Sequence, residues 1–122
     1  MNTSVSLPAL RHIMAATDFS DPARTAIDRA ARQARENGAR LSLVHVISSG
    51  WMDELRAWLD DGEQWQARVT LQAQTHLEAQ AQRLSAIRGA PVQSHLLKGH
   101  PVTTLADEVV RQEADLLVVG TR

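Results

Sequence analysis

The sequence has 122 residues, which is ample for one compact domain and too few for two of ordinary size. Its 13 basic and 14 acidic residues nearly cancel and its aromatic residues are scarce, so neither an electrostatic nor a base-stacking surface for nucleic acid is expected. No apolar stretch approaches the ~20 residues that span a bilayer, residues 1–10 do not resemble a signal peptide, and cysteine is absent, so we expect a cytoplasmic protein without membrane contact.

The first half of the chain predicts a strand, a helix and a second strand. Residues 12–17 (HIMAAT) form a short apolar run, which is typical of a strand buried on both faces. A helix is predicted to begin after Ser20, which can cap it, and to end at Gly38, which tolerates a left-handed conformation. Residues 41–47 (LSLVHVI) predict the second strand. The short links between these elements indicate a βαβ unit with parallel strands.

The second half predicts further helices and strands in alternation. A short helix is predicted over residues 51–59 and a long one over residues 63–87. The polar run at 92–98 predicts an edge strand, an amphipathic helix follows from 102 to about 113, and residues 115–119 (DLLVV) predict a buried fourth strand. The alternation predicts an α/β class, Rossmann-like, with an open parallel sheet and helices on both faces.

Polar residues follow two of the predicted strands, at the ends where open α/β sheets bind ligands. Thr17 ends the first strand and Asp18 follows it, and Gly120 follows the fourth. If these strands are neighbours, Asp18 and Gly120 face one crevice, where a carboxylate can accept hydrogen bonds from ribose hydroxyls or an exocyclic amine. The alternative is that Asp18 only caps the turn and helix that follow it.

Four segments, taken in order, resemble the universal stress protein family. Residues 13–20 (IMAATDFS) resemble its opening strand and turn, and residues 43–46 (LVHV) resemble its second strand. Residues 99–101 (GHP) and 114–122 (ADLLVVGTR) resemble its closing half. The resemblance runs over about residues 11–122 and is weakest between 50 and 90. It implies the adenine-nucleotide α-hydrolase-like fold with strand order 3-2-1-4-5, in agreement with the predicted elements.

The same resemblance implies a nucleotide site. Asp18 matches the family's aspartate at the adenine or ribose, Ala16 and Thr17 lie on the pocket floor, and Val46 matches the residue whose backbone reads the adenine edge. A peptide group suits that task because it offers a donor and an acceptor in fixed geometry. The predicted site is completed by the residues that follow the fourth strand: Gly120, Thr121 and Arg122.

The sequence departs from the family at the phosphate loop. ATP-binding members carry G-x2-G-x9-G-[ST] directly after the fourth strand, where glycines let backbone amides approach phosphates. The first of these glycines would fall at position 123, beyond Arg122, and a fifth strand is also missing. We therefore interpret residues 1–122 as one domain of the family that is incomplete at its C-terminus, and expect this chain alone to bind ATP poorly.

Three functional hypotheses follow from the resemblance, the third of which is a hydrolase or adenylyl-transfer enzyme of the wider superfamily. The first is a stress-response module that binds an adenine nucleotide, ATP with Mg²⁺, in a longer form of the protein. The alternative is a family member that binds no nucleotide and acts as a homodimeric regulatory or interaction domain with a regulatory protein partner. Catalysis beyond weak ATP hydrolysis is not expected, because the sequence contains neither a Walker motif nor a G-x-S-x-G nucleophile motif.

Histidine and tryptophan positions add further expectations. His45, inside the second predicted strand, is interpreted as a hydrogen-bonded core residue, whereas His100, in the turn after the third strand, is a candidate nucleotide contact. Histidine spacing predicts no metal site. Trp51, Trp58 and Trp65 are seven residues apart, and we interpret at least one as packing against the sheet and the segment as a mobile lid.

Overall fold

The computed structural model describes residues 10–48 and 62–120, in which four strands alternate with three helices. The strands are β1 (His12–Thr17), β2 (Arg40–Ser48), β3 (Gln93–Gly99) and β4 (Leu116–Gly120). The helices are α1 (Asp21–Asn37), α2 (Gly62–Arg88) and α3 (Pro101–Gln112). These bounds agree with the predicted elements to about one residue. The short helix predicted over 51–59, with Trp51 and Trp58, lies outside the described residues.

The strands form one parallel sheet in the order β3-β2-β1-β4, as predicted. Strand β1 lies between β2 and β4, and Ala16 is in register with Val44 on one side and Val119 on the other. The chain moves outward from β1 through β2 to β3 and then returns across the sheet to β4. The strand order therefore reverses between β1 and β4, which is the place where open α/β sheets bind ligands.

The helices cover both faces of the sheet, as the handedness of the crossovers requires. Helices α1 and α2 pack against each other and against one face, whereas α3 packs on β2 and β3. Right-handed crossovers that run in opposite directions along a sheet place their helices on opposite faces. The core between α1, α2 and the sheet consists of small and branched apolar residues: Ile13, Ala15, Ile27, Ala30, Ala31, Ala34, Ala39, Leu41, Leu43, Leu77, Ala81 and Leu84.

Helix α1 has the caps that its sequence predicts. The hydroxyl Oγ of Ser20 accepts a hydrogen bond from the Ala23 amide at 3.3 Å, which satisfies one of the free amides of the first turn. Gly38 ends the helix in the left-handed conformation, with φ of 62°. The apolar residues that recur at helical spacing along α1 form its buried face: Ala23, Ile27, Ala30, Ala31 and Ala34.

Strand β4 is less buried than its sequence predicts. The run of apolar residues indicates burial on both faces, yet the residues of β4 are half-buried and Val119 is 49% exposed. The prediction is wrong because β4 is an edge strand of the described sheet and α3 packs on β2 and β3 instead. The prediction that β3 lies at an edge is confirmed.

A buried polar layer holds the end of α3 against the sheet. The ring of His12 donates from Nδ1 to the Gln112 carbonyl oxygen at 3.1 Å, and its Nε2 then accepts from the Ser42 hydroxyl at 2.6 Å. Glu108, buried in α3, accepts hydrogen bonds from the side chains of Arg111 and Gln112. The bonds from Arg111 are the main cause of the lowered pKa of Glu108. The buried side chains of His12, Ser42 and Glu108 therefore have partners, which limits the cost of their burial.

Asp115 ties the first residues of β4 to those of β1. Its Oδ2 accepts from the backbone amides of Arg11 and His12 at 2.8 and 2.9 Å, and its own amide donates to the His12 carbonyl oxygen at 2.8 Å. The two amide bonds stabilise the carboxylate and lower the pKa of Asp115. The carboxylate thus stabilises the fold while it is ionised.

We expect Asp115→Asn to lower stability near neutral pH and to lose this effect in acid. Because the pKa of Asp115 is lowered in the folded state, its contribution is complete above the unfolded value of about 4 and disappears as pH falls through the lower folded value. Urea unfolding of both proteins between about pH 7 and pH 3 should therefore show a gap in midpoint that closes with acid. Asp107→Asn, at an exposed site on α3, is the control. A gap that does not change with pH would contradict this role.

Candidate functional site

A cleft of about 170 Å³ opens at the carboxyl ends of β1, β2 and β4. The strand ends and the first turns of α3 provide its lining: Ala16, Thr17, Asp18, His45, Val46, Pro101, Leu105, Val119 and Gly120. The cleft therefore lies where the strand order reverses. Five predicted site residues meet here, namely Ala16, Thr17, Asp18, Val46 and Gly120. The other two, Thr121 and Arg122, lie outside the described residues.

A tight turn after β1 holds Asp18 at the cleft. The amide of Ser20 donates to Asp18 Oδ1 at 2.9 Å, and the Ser20 hydroxyl donates to the same oxygen. The amide of Phe19 donates to Thr17 Oγ1 at 3.0 Å. The Asp18 side chain therefore caps the turn and also lines the cleft, while Ser20 caps the helix.

The residue after Asp18 has an unusual backbone conformation. Phe19 has φ of 65°, and a left-handed conformation costs about 1–2 kcal/mol for a residue that carries a Cβ atom. Such a conformation persists only where the surroundings hold it. The turn that carries Asp18 is thus maintained by contacts of Thr17, Phe19 and Ser20.

His45 supports the same turn from β2. Its Nδ1 lies 2.7 Å from the carbonyl oxygen of Thr17, so Nδ1 carries the hydrogen and donates it. Its ring lies 4.3 Å from the ring of Phe19, between centroids, with a tilt of 37°. His45 is hydrogen-bonded, as predicted, but it is half-buried at the cleft wall and not enclosed in the core.

Strand β2 continues beyond the end of β1 and forms one side of the cleft. The register of β1 with β2 ends at Ala16 and Val44, whereas the register of β2 with β3 continues to Ser48. Val46 therefore lies past the last paired residue of β1, and it lines the cleft. This position is compatible with the predicted reading of a ligand edge by the Val46 backbone.

The glycine that ends β4 packs directly against the first turn of α1. A Cβ atom at Gly120 would lie 2.6 Å from the Cβ of Ala26 and 2.8 Å from both the Cα of Ala23 and the carbonyl oxygen of Pro22. Two of these three atoms belong to the backbone of α1, so they cannot move away unless the helix itself shifts. The sequence thus requires glycine here because a helix and a strand end meet without space for a side chain.

Sequence reasoning missed three apolar residues of the lining. Val119 is in register with Ala16 on the neighbouring strand, so the pairing of β1 with β4 would have identified it. Pro101 and Leu105 lie one turn apart at the start of α3. His100, the candidate contact in the same segment, is exposed and is not among the lining residues. The cleft is therefore mostly apolar, with polar groups concentrated around Asp18.

The residues that the structure describes also bear on metal binding and on membrane insertion. Within 10–48 and 62–120, no group of three histidine, aspartate or glutamate side chains could hold a metal ion. In the same ranges, none of the helices combines the length and the apolar character needed to cross a membrane.

The fold defines a protein of the open parallel α/β class, with a cleft at the position where such sheets bind ligands. The Usp profile, described as the universal stress protein family, matches residues 9–122. The universal stress protein A homolog of Pasteurella multocida is 31% identical over 117 residues, covering 90% of this chain and 76% of that protein. The chain therefore belongs to the universal stress protein family.

Two solved structures of nucleotide complexes have the same fold. A universal stress protein in complex with cAMP has a TM-score of 0.68 at 22% identity, with 89% of this chain and 71% of that chain covered. The universal stress protein from Archaeoglobus fulgidus in complex with dAMP has a TM-score of 0.63 at 24% identity, with 91% and 81% covered. At these identities the likeness establishes the shared fold.

We expect Gly120→Ala to destabilise the protein by about 1–3 kcal/mol, the usual cost of overpacking a close contact. The added methyl group has to displace the backbone of Pro22 and Ala23, so hydrogen exchange should accelerate at the Ala23 and Arg24 amides. Urea unfolding and amide exchange measure the two effects.

Gly89→Ala is the matched control, because no atom lies within 4 Å of its added Cβ and only its φ of 79° opposes the change. This control should leave exchange in the first turn of α1 unchanged. A Gly120→Ala protein with unchanged stability would show that the helix and strand are not in close contact.

Proposed function

We propose that this chain binds an adenine nucleotide in the cleft at the carboxyl ends of β1, β2 and β4, as the ligand-binding module of a stress-response protein. The observation that carries the proposal is the meeting of Asp18, an apolar floor and the end of β2 in one cleft at the switch in strand order. The complexes of two relatives with cAMP and dAMP support the same ligand class. The nucleotide that we propose is ATP with Mg²⁺.

The shape and lining of the cleft suit a flat base with its sugar. Its volume of about 170 Å³ is below the ~300–1,000 Å³ of pockets that enclose drug-sized ligands, so the cleft would receive part of a nucleotide. Ala16, Val46 and Val119 offer apolar surface to the faces of a base. The phosphates would then lie outside this apolar region.

Asp18 would select the sugar. A carboxylate that accepts hydrogen bonds from hydroxyl groups forms charge-assisted bonds, which are stronger than neutral ones. The bonds from Ser20 hold the carboxylate in one orientation before the ligand arrives. Such preorganisation lowers the entropic cost of binding.

We also propose that the site binds its ligand without rapid turnover. Among the described residues of the lining, the ionisable side chains are Asp18 and His45. His45 donates to the Thr17 carbonyl oxygen and Asp18 accepts from Ser20, so both side chains maintain the turn. No nucleophile paired with a general base occurs among these residues.

Substitution of Asp18 tests the sugar contact. Asp18→Ala should weaken binding of AMP by about tenfold or more, because a hydrogen bond to a charged group is lost. Asp18→Asn keeps an oxygen that can accept from Ser20 and should lose less affinity. Asp107→Asn, outside the lining, should bind as the wild type does.

Titration calorimetry with AMP measures all four proteins, with circular dichroism to show that each is folded. Unchanged affinity in Asp18→Ala would remove Asp18 from the site. A wild-type chain that binds none of AMP, cAMP and ATP would overturn the proposed function and favour the homodimeric regulatory domain.

Obstruction of the cleft tests the position of the base. Val119 is 49% exposed on the cleft wall, and Val119→Phe should place a ring in the space of the base and lower AMP affinity by about tenfold or more. Val110→Phe makes the same substitution on α3 at a residue that is 77% exposed and outside the lining, so it should leave affinity unchanged. Equal effects of the two variants in a fluorescent-nucleotide competition assay would place the ligand elsewhere.

A further inference from the structure

The ring of Phe19 contacts two imidazole rings from different elements. The ring of His76, on α2, is stacked on it with centroids 4.1 Å apart and planes inclined by 13°. The ring of His45, on β2, also contacts Phe19, with the two ring centroids 4.3 Å apart and the ring planes inclined by 37°. Three rings that are far apart in sequence thus connect β2, the turn after β1 and α2.

His76 does not belong to the cleft that contains Asp18. It lines a separate cavity of about 100 Å³ together with Phe19, Arg24 and Gln80. Thr17 is the residue common to the linings of the cleft and of this cavity. The turn of residues 17–20 therefore connects His76 to the cleft among the described residues.

The turn depends on support from outside itself. Phe19 is held in the left-handed region, and the hydrogen bonds at Phe19 and Ser20 are local ones to Thr17 and Asp18. Local bonds of this kind do not fix the turn against the rest of the fold. His45 does so from β2, through its bond to the Thr17 carbonyl oxygen, and the stack on His76 does so from α2. The stacking energy of an aromatic pair is comparable to the cost of the backbone conformation.

We propose that His76 is a positioning residue of the nucleotide site, because its ring fixes Phe19 and thereby the orientation of the Asp18 carboxylate. The inference rests on the proposed function for its effect on affinity. Its structural half, the coupling of α2 to the Asp18 turn, is independent of any ligand. The role needs a flat ring at position 76 and makes no use of the imidazole nitrogens.

Two substitutions of His76 in the full chain separate stacking from other roles. His76→Ala removes the ring from an exposed helical position that tolerates alanine well. His76→Phe keeps a flat ring without the nitrogen atoms. Gln72→Ala, also exposed and one turn earlier on α2, is the control for the helix itself.

The first measurement needs no nucleotide. Hydrogen exchange of the Ser20 amide, which is bonded to Asp18 Oδ1, should accelerate several-fold in His76→Ala and remain at the wild-type rate in His76→Phe and Gln72→Ala. An unchanged rate in His76→Ala would overturn the proposal, and so would a failure of His76→Phe to restore the wild-type rate.

The second measurement is AMP affinity by calorimetry. We expect a loss of about threefold to tenfold in His76→Ala, the range that corresponds to one aromatic pair, and wild-type affinity in His76→Phe and Gln72→Ala. If the wild type binds AMP and His76→Ala binds it equally well, the positioning role is wrong. If the wild type binds no AMP, the proposed function fails, while the exchange rates still decide whether His76 holds the turn.

Discussion

The contact between β1, β4 and the first turn of α1 controls the geometry of the cleft. All six residues of β1 are buried, and β1 has a strand partner on each side. Helix α1 begins four residues after β1 ends and lies against the end of β4, where only glycine fits. The short link from β1 to α1 and the close contact of α1 with Gly120 together fix where Asp18 lies relative to Val119. The position of the cleft floor is therefore determined by the packing of the backbones of β1, β4 and α1.

The elements of the fold were largely predictable because each has a local cause. Ser20 and Gly38 mark the ends of α1 through capping and a left-handed residue, and the apolar runs mark the strands. The burial of each strand was less predictable, because burial depends on the packing of other elements and not on a local cause. The residues of β4 are as apolar as those of a fully covered strand, but which helix covers a strand depends on the direction of the crossovers and cannot be read from the strand itself.

The candidate site was predictable at the strand ends and not beyond them. Asp18 and Gly120 follow apolar runs, so a rule about strand ends identifies them. His45 lies within its run, and its place at the cleft wall follows from the register of β2 with β1, which is a tertiary property. The same holds for His76, because its contact with Phe19 depends on the rotation of α2 about its axis and on its packing against α1.

Opposite ends of one sheet therefore serve different purposes. At the amino ends, Asp115 and His12 form hydrogen bonds with backbone and side-chain groups that hold β1, β2 and β4 together. At the carboxyl ends, a strained Phe19 is kept in place by rings from β2 and α2. Strain is retained where surrounding contacts over-determine it, and functional sites are where it concentrates. The hydrogen bonds of Asp115 and the contacts that orient Asp18 share no side chain, so the proposed ligand recognition can change without a change in those bonds.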